Sequence, residues 1–350
     1  MTGVLAGLVG SMKAAIPSQP TTVGVAHSVS PFVTVYSFNG GFLSKYANPS
    51  ILPANTGRAV GFTPANNAII VNHFDSPNIA AYAWSDLTGF GSKYANPSVP
   101  LLTFNFDASI SPAGNAIAIT DYSNPKIYAY AWSSGSGFGT KYADPSTLAN
   151  GSTNACNFSS DGAAIGLGSG SSPFINAYAW SSGSGFGTKY SNPSILPTNQ
   201  VQGLSWNNNS TVVGSGHGTS PFVSFYAWSN ATGFGTKYAD PSSSIFSTAR
   251  HVSFRTSDNA VVVASFSSPY VHAYLWSNAT GFGTKYSNPA TVPTGAAKPI
   301  FFTPNGNSVV VGHENSPYVT AYPWSSGFGS KYANPATLPT GNANDISSGF

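Results

Sequence analysis

A single repeat constrains this chain more than anything else in it. A Lys-Tyr-x-Asn/Asp-Pro-Ser/Ala element starts at Lys45, Lys93, Lys141, Lys189, Lys237, Lys285 and Lys331, five times at an interval of 48 residues and last at 46. A second anchor, Tyr-x-Trp, pairs Tyr82 with Trp84, Tyr130 with Trp132, Tyr178 with Trp180, Tyr226 with Trp228, Tyr274 with Trp276 and Tyr322 with Trp324. Tyr36-Ser37-Phe38 is a degenerate first copy. Each unit reads as four short segments, a to d, as in Val60-Gly61-Phe62, Ala68-Ile69-Ile70-Val71, the alternating run to Trp84, and Lys93-Tyr94. Short alternating runs cut by Gly, Pro, Asn and Ser turns are strands. Seven units of four antiparallel strands predict an all-β chain folded as a seven-bladed β-propeller, since radial closure leaves only short, protected sheet edges. An open β-solenoid ordinarily has shorter coils than 48 residues.

Closing such a ring requires first and last units to be joined, and two segments have the register of strand a. One runs from Lys13 to Ile16; the other, Asp345 to Ser348, is the favoured clasp. Residues 1–16 then become an N-terminal arm (or, in the other arrangement, the first strand), and residues 17–350 the propeller.

Interlock falls to the aromatic anchors. Tyr and Trp two residues apart point to one face of a strand. Aromatic side chains bury about 150–250 Å² each, so Tyr82, Trp84, Tyr130, Trp132, Tyr178, Trp180, Tyr226, Trp228, Tyr274, Trp276, Tyr322 and Trp324 are expected to pack between blades. Composition excludes several functions. Charged residues make up 7% of the chain, the net charge is +3, and seven of the thirteen Lys and Arg fall one per repeat, so the dense basic stripe of a nucleic-acid binder is missing. Cys156 is the only cysteine, which rules out an intrachain disulfide and a cysteine zinc cluster. The longest apolar stretch, Val4 to Val9, is far below a membrane span of about 20 residues. The first positive charge, Lys13, follows that stretch, so no cleaved leader is expected.

Candidate binding residues gather on one face of the expected disc. Where strand b ends, three residues before the Ser-Pro turn, four units carry His27, His73, His217 and His313. The starts of the a strands add Arg58, Arg250 and Lys298, and the residue after Ser-Pro adds Phe32, Phe174, Phe222, Tyr270 and Tyr318. The histidines lie in four different blades, too dispersed for one zinc ion, so neither a metal nor a cofactor is expected. The chain has one Glu, its Asp residues are spread singly, and the even repeat leaves little room for a reactive centre, so no catalytic residue is expected.

The a-to-b hairpins, such as Ser111-Pro112-Ala113-Gly114-Asn115 and Thr303-Pro304-Asn305-Gly306-Asn307, and strand c in Ala129-Tyr130-Ala131-Trp132-Ser133, resemble the WD-repeat and lactonase-like propeller superfamily. The chain departs from WD repeats in lacking Trp-Asp and, in the d-to-a connection, the Gly-His dipeptide, and from lactonases in lacking evident metal-binding carboxylates. Residues 185–193 and 281–289, Gly-Phe-Gly-Thr-Lys-Tyr-Ser-Asn-Pro, resemble repeats of marine bacteriophage proteins. This resemblance implies a non-catalytic virion component, a tail adhesin or capsid decoration, that attaches to other virion proteins through the N-terminal arm and recognises a host-surface glycan or protein. The alternatives are a soluble lactonase-like hydrolase, expected to hold a calcium or zinc ion in the channel, and a secreted lectin.

Overall fold

Turn residues cut the chain at the expected places, and the segments between them pair as antiparallel strands. The structure is a computed structural model that describes residues 21–101, 106–243, 245 and 247–349. It is all-β, with seven sheets arranged around an axis. Blade 4 shows the plan: strand a Thr153–Phe158, b Ala164–Ser169, c Ile175–Ser181 and d Gly185–Lys189, hydrogen-bonded in that order. The other a strands are Gly57–Phe62 in blade 2, Ala108–Ile110 in blade 3, Val201–Trp206 in blade 5, Ala249–Phe254 in blade 6 and Ala297–Phe302 in blade 7. Six sheets have four strands. In blade 7 the outer segment is reduced to one bridge between Trp324 and Phe328.

Blade 1 closes the ring with the C-terminal segment, as expected. Strand a, Ala343–Ser348, pairs antiparallel with strand b, Thr21–His27, with Val25 opposite Ile346. The proposed N-terminal arm, including Lys13 to Ile16, lies outside the described residues. Among the described residues no helix is long and apolar enough to cross a membrane.

The propeller has no single core. Its buried apolar residues form seven clusters, each shared by two neighbouring blades. The seven repeat tyrosines of strand c are at most 1% exposed, and the six repeat tryptophans at most 7%. Each Trp receives, edge to face, the Lys-Tyr ring of the preceding blade, as in Tyr46–Trp84 at 4.9 Å and Tyr190–Trp228 at 4.8 Å. Tyr332 meets Phe38 the same way at 6.0 Å, so the degenerate first copy still completes the circle. Hydrogen bonds add direction. The hydroxyls of Tyr130, Tyr178, Tyr226, Tyr274 and Tyr322 donate to the carbonyl 31 residues upstream at 2.7–2.9 Å, and Tyr36 donates to Thr337 O across the closure. Blade is thus tied to blade by one repeated set of contacts.

Candidate active site at the hub

Strand a is the innermost strand of each blade, and neighbouring a strands touch around the axis. Its pairing with strand b is interrupted near its start by a bulge. In blade 2, Gly57 faces His73 and Ala59 faces Asn72, which leaves Arg58 as the extra residue. The same slip frees Asn154, Gln202 and Arg250, and the closing strand frees Asn344. In blade 7 the slip lies between Ala297 and Ile300 and releases Lys298 with Pro299. A bulged residue has no ladder partner and is re-aimed out of the sheet. These side chains, with Phe106 in blade 3, line a cavity of about 370 Å³ at one mouth of the channel.

Seven repeat-equivalent positions therefore carry Arg58, Phe106, Asn154, Gln202, Arg250, Lys298 and Asn344. The next residue along the chain adds Asp107, His251 and Asp345 to the cavity wall. The even spacing of the repeats did not prevent a polar, chemically varied centre: chain length is held constant while the hub residues differ from blade to blade.

An innermost strand presents unpaired N–H and C=O groups to the axis, and buried ones need partners. The preceding blade supplies them. Asp107 accepts hydrogen bonds from Cys156 N at 2.9 Å and Ala108 N at 2.8 Å, and Asp345 accepts from Val60 N at 2.9 Å. Ser109 and Ser253 cap Phe158 N and Phe302 N in the same way. His251 Nδ1 lies 3.0 Å from Ile300 O. A carbonyl only accepts, so Nδ1 carries the proton. Burial lowers the His251 pKa to about 4, which keeps the ring neutral and leaves Nε2 an unprotonated acceptor. Gly203 lets this ring approach: a Cβ there would stand 2.5 Å from Arg250 O and 2.8 Å from His251 Cδ2.

The two aspartates shift the other way. Burial raises both above the usual carboxylate range, and for Asp345 the charge of Asp107 adds to it, so the pair retains a proton. The cations differ among themselves. Arg250 pairs with Glu314 at 2.6 Å and lies over Phe266, and Lys298 sits 3.8 Å from Glu314 and donates to Asn344 Oδ1 at 3.1 Å. Burial, and behind it the charges of Arg250 and Arg58, lowers the Lys298 pKa against the pull of Glu314. Arg58 lies over Phe74 and Phe106, with its guanidinium carbon 5.3 and 5.9 Å from the ring centroids. Among the described residues its buried Nε has no hydrogen-bond partner and no carboxylate lies within salt-bridge distance of it.

Of the candidate residues, the structure brings together Arg58, Arg250 and Lys298. The histidine face does not form. His27, His73, His217 and His313 are at most 1% exposed and lie within their blades. Nε2 of His27, His217 and His313 meets the hydroxyl of Thr34, Ser224 and Thr320 on strand c at 2.9–3.1 Å, and burial lowers all four to about 4. The aromatic group is a hairpin device: Phe32, Phe174, Phe222, Tyr270 and Tyr318 are half-buried, each at a φ of 66–69° after its Ser-Pro turn. Phe174, Phe222 and Tyr270 pack against the inter-blade clusters. Sequence reasoning placed His251 beside Arg250 at the start of a strand a but missed Asp107, Asp345 and the amides. Reading the start of strand a as one column across seven units would have found them. Among the described residues no group of three or more His, Cys, Asp or Glu could hold a metal ion.

No family model matches the chain, and no curated protein matches it. Solved structures do. A putative 6-phosphogluconolactonase from Bacteroides fragilis superposes with a TM-score of 0.73 at 9% identity, covering 95% of this chain and 99% of that one. A putative 6-phosphogluconolactonase from Bacteroides uniformis gives 0.71 at 11% identity, over 94% and 99%. The periplasmic gluconolactonase of Pseudomonas aeruginosa gives 0.68 at 13% identity, again over 94% and 99%. These likenesses establish the seven-bladed fold over nearly the whole chain. They also correct the expectation of a non-catalytic virion component: whole-chain structural counterparts bear the names of lactonases, and they add nothing to the WD-repeat or bacteriophage resemblance.

Proposed function

We propose that the protein opens the ring of a sugar lactone by hydrolysis at the hub cavity. The observation that carries this reading is the diversified hub. At positions where a purely structural repeat could place one residue seven times, the chain has three cations, three amides and one aromatic ring, followed by a neutral imidazole and two proton-holding carboxyls. The lactonase names of the structural counterparts favour the same chemistry.

In this reading a water molecule attacks the lactone carbonyl carbon and gives up a proton to His251 Nε2. Arg250 and Lys298 stabilise the charge that develops on the carbonyl oxygen, as preorganised donors do for an acyl-transfer oxyanion. The ring C–O bond breaks as the Asp107 and Asp345 pair gives a proton to the departing oxygen; the pair regains one from the new carboxyl group, and the proton on His251 passes to solvent. The product is an open hydroxy acid, whose carboxylate leaves from among the hub cations.

Purified protein should hydrolyse glucono-δ-lactone or its 6-phosphate above the spontaneous rate, followed by alkali uptake at constant pH. The enzymatic rate should be sustained at neutral pH and fall as the medium is acidified through about 4, where His251 takes up a proton. Saturating protein with no turnover of either lactone sinks the reading.

A further inference from the structure

A second ring of residues surrounds the bulged one. It is the residue three positions before the proline of each b-to-c turn: Ser28, Phe74, Tyr122, Gly170, Gly218, Phe266 and Glu314. Backbone bonds seat this ring over the start of strand a, with Phe74 N on Thr56 O, Gly170 N on Ser152 O, Phe266 N on Thr248 O and Glu314 N on Ala296 O. Three of its members engage a hub cation: Phe74 lies by Arg58, Phe266 by Arg250, and Glu314 between Arg250 and Lys298, whereas Tyr122 belongs to the blade whose hub residue is Phe106.

Blade 1 holds the small Ser28 over the uncharged Asn344, and the adjacent blades 4 and 5 depart furthest from this pattern on both rings. Their outer position is Gly170 or Gly218, and their bulged residue is the uncharged Asn154 or Gln202, with Gln200 beside them in the cavity wall. A Cβ at Gly170 would stand 2.8 Å from Ser152 Oγ, a rotatable hydroxyl that must turn aside for it, and 3.9 Å from Gln200 Oε1, and one at Gly218 would stand 3.5 Å from Asn199 Cγ, so the two glycines border a floor edged by a hydroxyl and amides. On the two flanks, in blades 3 and 6, stand Tyr122 and Phe266, large rings that are 54% and 51% exposed. The mouth is therefore walled and charged on one arc and open, neutral and aromatic-flanked on the other.

We propose that the arc over blades 4 and 5 is a trough for the sugar units of an oligosaccharide whose terminal lactone reacts at the hub; the proposal rests on the lactone reading above. Sugar rings present apolar C–H faces and hydroxyl edges. The aromatic flanks match the faces, and amides, which both donate and accept, match the edges. The cavity falls in the size range of pockets that hold ligands larger than one sugar ring. The cationic arc opposite takes the reacting end.

The test uses the full chain with glucono-δ-lactone, which needs only the hub, and cellobiono-δ-lactone, which carries one more sugar. Gly170→Phe and Gly218→Phe fill the trough with the residue that blades 2 and 6 already hold in this register, and melting curves check that both variants fold. The expected result is a kcat/KM at least ~10-fold higher for the disaccharide lactone, equivalent to about 1.4 kcal/mol. Both substitutions should abolish that advantage and leave the monosaccharide lactone within about twofold. Equal rates for the two lactones in the parent chain, or substitutions that slow both alike, overturn the trough and leave the lactone reading standing. Calorimetric binding of the disaccharide that the substitutions weaken, without turnover of either lactone, upholds the trough and overturns the hydrolysis. Neither binding nor turnover of either compound overturns both.

Discussion

Strand c and the start of strand a come from the same repeat, yet one column is nearly constant and the other changes in almost every blade. Strand c carries Tyr seven times and a buried Trp six times because each ring fits between two blades and touches both. A change there must be absorbed by two sheets. The bulged residue at the start of strand a has no ladder partner and faces a cavity, so it is free to become Arg58 in one blade and Gln202 in another. Architecture resides where the repeat is kept, and chemistry where a bulge releases one residue from it.

Acid should separate the two regions most strongly. All six histidines are held by burial at a pKa of about 4 against an ordinary 6.5, and five of them, His27, His73, His217, His272 and His313, lie within the blades. The unfolded chain takes up these protons between pH 6.5 and 4 while the folded one does not. Their contribution to stability is thus complete above 6.5 and declines toward 4. At the hub the balance is reversed, since Asp107 and Asp345 are raised and hold protons that the unfolded chain releases. Six sites outweigh two. Each histidine accounts for up to about 2 kcal/mol between pH 7 and 5, so the urea midpoint should drop clearly over that interval. A flat midpoint would mean the blade histidines are not buried.

Among single substitutions, Trp180→Ala should have the largest effect on folding, about 3–5 kcal/mol, because it empties a space between blades 3 and 4. Arg250→Ala breaks an ion pair that is partly open to water and should cost no more than about 1 kcal/mol. Chemical denaturation of the two variants, side by side, checks the contrast; similar losses would erase the distinction between wall and hub.

Turnover should respond in the opposite sense. His251→Gln removes the neutral imidazole and is expected to lower kcat about 10²-fold, or about 2.7 kcal/mol, with the melting temperature little changed. Trp180→Ala, assayed well below its melting point, should keep the parent rate per folded molecule. A rate loss in the tryptophan variant that matches the histidine variant would place the chemistry away from the hub.

These contrasts also explain what could be read from the sequence. Spacing of Lys-Tyr and Tyr-x-Trp specifies seven blades, because those residues recur and strand alternation assigns their face, and register favours Asp345 to Ser348 as the clasp, which the structure extends back to Ala343. Asp107 and Asp345 are 238 residues apart, look like isolated turn acids, and become neighbours across blade 2 only once the ring has closed. His217 precedes a Ser-Pro turn and reads as a loop residue. Its partner, Ser224, lies seven residues on, on the next strand, and hides the ring inside the sheet.

The smallest expected effect tests whether the repeated column is as uniform as it looks. Tyr178 donates to Thr147 O at 2.8 Å, whereas the buried hydroxyl of Tyr82 has no hydrogen-bond partner among the described residues. Tyr178→Phe should therefore cost about 1 kcal/mol, the net worth of one hydrogen bond plus an orphaned carbonyl. Tyr82→Phe removes a hydroxyl that gains nothing from burial and should leave stability unchanged or raise it slightly. Equal losses at the two positions would show that Tyr82 is bonded as Tyr178 is.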